Sequence, residues 1–186
     1  MRLPTLTFEQ LTPRQKETWN KHAERRDKPV GPYLTWLHSP ELMDKVSPMS
    51  NYFRFDCGLP VKIREFGLCV VSRFWDAQYS WSAHVDKAIA AGVPAEVMKD
   101  IADGKKPNFK ADDERIYYAF AMEILKNHFV SQATFDEARK HFGEKALVDL
   151  IGSVGYFSML SIALNASETD LNRPAPFPDV KGYKKI

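Results

Sequence analysis

Apolar side chains along this chain recur at three- and four-residue spacings, the pattern of helices that each bury one face. No run alternates apolar and polar residues, with β-branched enrichment, for long enough to make a sheet. Punctuation residues set the boundaries. Thr12-Pro13 reads as an N-cap followed by proline at the first helical position, opening a helix through about His22 to Arg26. Lys28-Pro29-Val30-Gly31-Pro32 stops it. Ser39-Pro40 repeats the start signal, with Leu42, Val46, Met49 and Phe53 at helical spacing behind it, and Gly58-Leu59-Pro60 ends that element. The most apolar stretch follows, Ile63 to Trp75, with Phe66, Val70, Val71 and Phe74 in it. A further helix is predicted from about Asp76 to Ala91, closed by Gly92 and restarted by Pro94.

Ala95 to Ala102 makes a short helix, and Gly104-Lys105-Lys106-Pro107-Asn108 is the clearest linker. Asp112-Asp113-Glu114 places acids where a helix macrodipole favours them, at the start of a helix through Asn127. Thr134 to His141 is helical up to Gly143, and Glu144 to Leu164 forms the last long helix. Gly152 and Gly155 inside it each cost roughly 1 kcal/mol relative to alanine, so close approach of another helix, within the chain or from a second subunit, is expected there. Residues 166–186, with Pro174, Pro176 and Pro178, form an extended arm ending in the basic Val180-Lys181-Gly182-Tyr183-Lys184-Lys185. The chain reads as one all-α domain, with 1–30 a lead-in and first helix and 31–165 the core.

Composition narrows the function classes. The 186 residues are 44% hydrophobic and 27% charged, as in ordinary globular proteins. Net charge is +2 from 26 basic and 24 acidic residues without a basic block, which gives no footprint for nucleic acid. No signal peptide is visible behind Met1-Arg2-Leu3-Pro4-Thr5, and no eighteen uncharged apolar residues follow one another, so no membrane span is expected. Cys57 and Cys69 are read as reduced thiols of a cytoplasmic protein, and no zinc-type Cys/His spacing occurs.

Candidate chemistry gathers between Arg64 and His84. Glu65 interrupts an apolar stretch, and a carboxylate buried there needs a partner. Two antiparallel helices joined near Trp75 bring Glu65 and His84 together, because each lies nine or ten residues from the joint. A carboxylate orienting an imidazole is a workable acid/base pair near neutral pH. The plainer alternative pairs Glu65 with Arg64 or Arg73 and makes His84 a satisfied structural residue.

Arg64-Glu65, Gln78-Tyr79-Ser80-Trp81 followed three positions on by His84, and Ala90-Ala91-Gly92-Val93-Pro94 with Glu96-Val97 resemble the core signature of the carboxymuconolactone decarboxylase-like, alkylhydroperoxidase D-like superfamily. Gly31-Pro32-Tyr33, the Leu37-to-Leu42 segment and Gly155-Tyr156-Phe157 extend the resemblance from about Gly31 to Leu164. It implies an alkylhydroperoxidase D-like helical bundle around a central hairpin, no cofactor or metal, and homo-oligomers, as trimers, their multiples or dimers. For the decarboxylase branch it implies loss of carbon dioxide from 4-carboxymuconolactone, in aromatic-compound breakdown. His84 would then be the proton donor and Glu65 its orienting partner. Tyr79 and Ser80 would be hydroxyl donors, and Trp75 and Trp81 pocket walls. Two departures stand out. Ala77 and Ser80 occupy the places of the peroxidase branch's Cys-x-x-Cys, leaving Cys69 as the only substitute thiol for a redox reading, and Ser80 replaces the Glu of a Tyr-Glu-Trp triplet common among relatives. A non-catalytic oligomer that binds a small metabolite is the third possibility.

Overall fold

Thr12 opens the first long helix with a reciprocal capping box: its Oγ1 accepts from the Gln15 amide at 3.3 Å, and Gln15 Oε1 accepts from the Thr12 amide at 3.0 Å. The computed structural model describes residues 1–171 and 174–177. Its helices are α1 Pro13–Ala23, α2 Pro32–Trp36, α3 Pro40–Asn51, α4 Val61–Phe74, α5 Gln78–Ala90, α6 Ala95–Ala102, α7 Asp112–Asn127 and α8 Gln132–Ser167. A π-helical turn, Tyr52–Asp56, continues α3. Among the described residues there is no strand. The short α2 was not foreseen. The break expected at Gly143 is present: its φ of 77° and ψ of 168° interrupt α8 there.

The outer helices show what spacing alone misses. Of the four apolar residues at helical spacing in and after α3, Val46 and Phe53 are buried, whereas Leu42 and Met49 are 46% and 39% exposed. Met43, Ser47 and Ser50 face inward instead. The serines can, because His22 Nδ1 lies 3.2 Å from Ser47 Oγ and Arg26 donates to Ser50 Oγ at 2.8 Å.

Helix α4 runs through the centre, packed by α5, α7 and α8. Ile63, Phe66, Cys69, Val70 and Val71 are at most 1% exposed. Gly67 permits the closest crossing, since a Cβ there would fall 2.2 Å from the Tyr117 ring of α7. Tyr117 in turn places its hydroxyl 3.1 Å from Ser153 Oγ on α8. Gly152 makes an intrachain crossing, with Phe53 against it, while Gly155 faces open space.

By length and composition α8 is apolar enough to cross a membrane, against expectation, but 56% of its most apolar window is buried within the fold, which is how a core helix behaves. Its buried Asp149 accepts from the Tyr52 hydroxyl at 2.6 Å and the Gly58 amide at 2.7 Å. Those bonds hold the 52–58 segment on α8.

The α4–α5 corner is Trp75-Asp76-Ala77. Asp76 adopts a left-handed φ of 50°, which starts α5 at Gln78 rather than at Asp76. Asn165 Nδ2 donates to the Trp75 carbonyl at 2.6 Å, and Arg73 pairs with Asp76. The described part of the C-terminal arm returns to this same hairpin: Phe177 is buried, exchanging hydrogen bonds with Gln78 at 2.6 and 3.3 Å. Pro178 and the basic ending lie outside the described residues.

Candidate active site

Glu65 on α4 and His84 on α5 meet across the hairpin, with 2.6 Å between Glu65 Oε2 and His84 Nδ1. Their side chains are 16% and 17% exposed. Neither arginine of the plainer reading takes Glu65. Arg64 donates to the Arg54 carbonyl at 2.5 Å, and Arg73 serves Asp76 and the Ala102 carbonyl.

Burial pushes the Glu65 carboxyl upward, but the His84 hydrogen bond and the charges of His84, Lys87 and Arg54 outweigh it and hold the group below its ordinary value. Burial lowers the His84 pKa, and the hydrogen bond and charge of Glu65 restore only part of that. Glu65 is thus held as a carboxylate, and His84 gives up its charge more readily than a free imidazole. The tautomer follows from the geometry: Nδ1–H donates to Glu65, which leaves Nε2 with a lone pair and no hydrogen-bond partner among the described residues.

The pair lines a cavity of about 170 Å³. From α4 and α5 come Glu65, Leu68, Tyr79, Ser80, Ala83, His84 and Lys87. From elsewhere come Arg26, Tyr33, Ser50, Phe53, Arg54, Tyr156 and the apolar Phe157, Leu160 and Leu164 of α8. The π-helical turn delivers Phe53 and Arg54, a use of such turns that recurs at functional sites. Gly31 seats Tyr79: its φ of +59° favours glycine, and a Cβ would fall 2.6 Å from the Tyr79 ring.

Of the sequence-predicted binding residues, Tyr79 and Ser80 line this cavity, whereas Trp75 and Trp81 do not. Trp81 lies about 100° around α5 from Ser80, where Phe177 packs on it with ring centroids 5.8 Å apart. Trp75 caps α4 at the corner. Ser80 Oγ lies 2.8 Å from Ser72 Oγ, whose hydroxyl also reaches the Leu68 carbonyl at 2.7 Å.

Cys69 is fully buried, does not line the cavity, and has its thiol pKa pushed well up by burial and by the charge of Glu65. Arg26, Ser50 and Arg54 had no sequence signal. Tyr33 and Tyr156 stood within segments of the family resemblance, but only folding brings them to the cavity.

No protein-family model matches the chain, and no curated protein does. Among solved structures, a protein from Ralstonia eutropha JMP134, described as an alkylhydroperoxidase AhpD core and an uncharacterized peroxidase-related protein, superposes with a TM-score of 0.76. The match covers 92% of each chain at 19% sequence identity. The chain thus has the alkylhydroperoxidase D-like all-α fold expected from its motifs.

Proposed function

We propose that the protein is an acid/base enzyme that moves a proton on a small unsaturated carboxylic acid or lactone, with decarboxylation of a carboxymuconolactone-like compound as one form of that chemistry. The observation that carries this reading is the 2.6 Å contact of Glu65 with His84 inside a cavity, with Nε2 unpartnered among the described residues. Nε2 accepts a proton from a carbon next to the substrate carbonyl, and the C–H electron pair passes into that carbonyl as an enolate. Glu65 stabilises the imidazolium so formed. The imidazolium then returns its proton to carbon. In the decarboxylating form the electron pair comes from the C–C bond to the carboxylate, carbon dioxide leaves, and the carbon takes a proton that Nε2 has first accepted from solvent, one proton being consumed in each turnover.

Deuterium uptake from D2O into a panel of carboxylated lactones and unsaturated acids, followed by NMR together with carbon dioxide release, tests the proposal. Wild-type protein exchanges or decarboxylates at least one of them, and His84→Ala slows it by about 10²- to 10⁴-fold. A wild type inert toward the whole panel, or a His84→Ala variant as fast as wild type, overturns it.

A thiol peroxidase has less support. The dithiol positions hold Ala77 and Ser80, and Cys69 is buried away from the cavity. We further propose a cytoplasmic homo-oligomer. Val148, Ile151 and Ile162 form an exposed apolar stripe on one face of α8, at 66%, 47% and 49% exposure. Light scattering of wild type and Ile151→Asp tests self-association.

A further inference from the structure

Arg26 reaches the cavity from the segment after α1, carrying a charge that no carboxylate among the described residues neutralises. Its Nε donates to Asn51 Oδ1 at 2.7 Å and its Nη2 to Ser50 Oγ at 2.8 Å, both uncharged acceptors. The guanidinium lies 5.3 Å from the Tyr33 ring centroid and 5.6 Å from that of Phe55. Lys62, by contrast, sits 3.0 Å from Asp113 and 2.9 Å from Glu114, and Arg73 pairs with Asp76, whereas Arg64, which also lines the cavity, donates to the Arg54 carbonyl. Burial pulls the pKa of Arg26 downward, as it must for a cation without a counter-charge.

The hydroxyls around Arg26 can each donate as well as accept, so they can turn their protons toward an anionic group. Tyr33, Ser50 and Tyr156 are 6%, 5% and 4% exposed. Ser50 Oγ accepts from Arg26 and shares one hydrogen bond with the Tyr33 hydroxyl, so the pair's second proton is left for the Tyr156 oxygen or for a ligand. Tyr156 places its hydroxyl beside Ser50 and Tyr33, so the three hydroxyls form one cluster. The charge balance of the cavity agrees, since Arg26, Arg54, Arg64 and Lys87 line it against the single carboxylate of Glu65.

A cation unmatched by any carboxylate among the described residues, beside hydroxyls able to donate, suits a ligand group that is anionic and accepts hydrogen bonds only. We propose that Arg26, with the hydroxyls of Ser50, Tyr33 and Tyr156, forms a carboxylate-binding subsite, which holds the acid group of the substrate while Glu65 and His84 act on its carbon skeleton. One guanidinium flanked by aromatic rings and apolar side chains suits a planar monoanion on a hydrocarbon frame better than a phosphate. The catalytic half of this statement rests on the acid/base reading. The binding half stands without it.

Calorimetric titration with benzoate, its uncharged analogue benzamide and inorganic phosphate tests the subsite in a reaction-free setting. Wild type binds benzoate at least about tenfold more tightly than benzamide or phosphate. Arg26→Gln weakens benzoate by about tenfold or more and leaves benzamide unchanged, Arg26→Lys falls between, and His84→Ala keeps the benzoate preference. Arg26→Gln unfolds at a temperature no lower than wild type, because it removes a buried charge that lacks a partner. Equal affinity for benzoate and benzamide, phosphate bound as tightly as benzoate, or benzoate affinity indifferent to Arg26→Gln overturns the subsite. If benzoate binding depends on Arg26 but no substrate exchanges, the acid/base reading falls alone. If exchange depends on His84 while benzoate ignores Arg26, only the subsite falls.

Discussion

His84 Nδ1 and Glu65 Oε2 stand 2.6 Å apart although 19 positions separate the residues, because α4 and α5 fold back on one another at Trp75-Asp76-Ala77. With Glu65 ionised, the contact favours the proton on Nδ1 and leaves Nε2 without a hydrogen-bond partner among the described residues. Glu65 raises the affinity of His84 for its proton against the pull of burial. In Glu65→Gln the His84 pKa is therefore expected to fall further, read from imidazole ¹⁵N shifts across a pH titration. A rise, or no movement, would show that the carboxylate does not charge-couple to the ring.

A second histidine gives the fold a pH dependence of its own. Burial, with the charge of Arg26 adding to it, pushes His22 from 6.5 down to about 4. Between those values the unfolded chain binds a proton that the folded chain refuses, so stability present above pH 6.5 is lost as the pH falls toward about 4. The loss from this group is at most about 3 kcal/mol. Urea unfolding at about pH 7 and about pH 4.5 should show His22→Gln losing less stability on acidification than wild type. Identical losses in both proteins would refute the assignment.

Gly67→Ala and Gly155→Ala are expected to move stability in opposite directions. A methyl at 67 meets the Tyr117 ring at 2.2 Å, whereas a methyl at 155 meets nothing within 4 Å. Thermal or urea denaturation should find Gly67→Ala destabilised by about 2 kcal/mol or more, since α4 or α7 must shift. Gly155→Ala should gain up to about 1 kcal/mol from helix propensity.

Thiol chemistry separates the enzymatic readings. Cys69 is enclosed with a raised pKa, and Cys57 is partly buried with its Sγ 3.4 Å from the Phe53 carbonyl. Titration of the native protein is expected to leave Cys69 unmodified. After peroxide treatment and denaturation both thiols should still be counted. Stoichiometric loss of one thiol on peroxide addition would restore the redox reading.

Much of the frame was legible from residues acting on their own neighbours. The expected Ala95–Ala102 and Asp112–Asn127 helices match α6 and α7 at both ends, and the interruption at Gly143 falls where the glycine stands. Breakers, caps and macrodipole complements act within a turn or two, so a linear reading captures them. The approach of Glu65 to His84 belongs to the same class, because both residues are counted from one corner.

What the chain order could not carry is the identity of distant neighbours. Trp81 faces Phe177 instead of the cavity, the inner face of α3 holds serines while Leu42 lies outside, and Gly67 exists for a ring on α7. Arg26, Ser50, Tyr33 and Tyr156 come from the segment after α1, from α3, α2 and α8, and meet only when those elements pack. Helical periodicity states which side of one cylinder a residue occupies. What lies on that side is decided by contacts between positions far apart in the chain, as between Gln78 and Phe177, 99 positions on. By itself the sequence thus determined the helices and the pairing of Glu65 with His84 on one hairpin, while the tertiary packing decided which side chains surround that pair and what charge they leave unmatched.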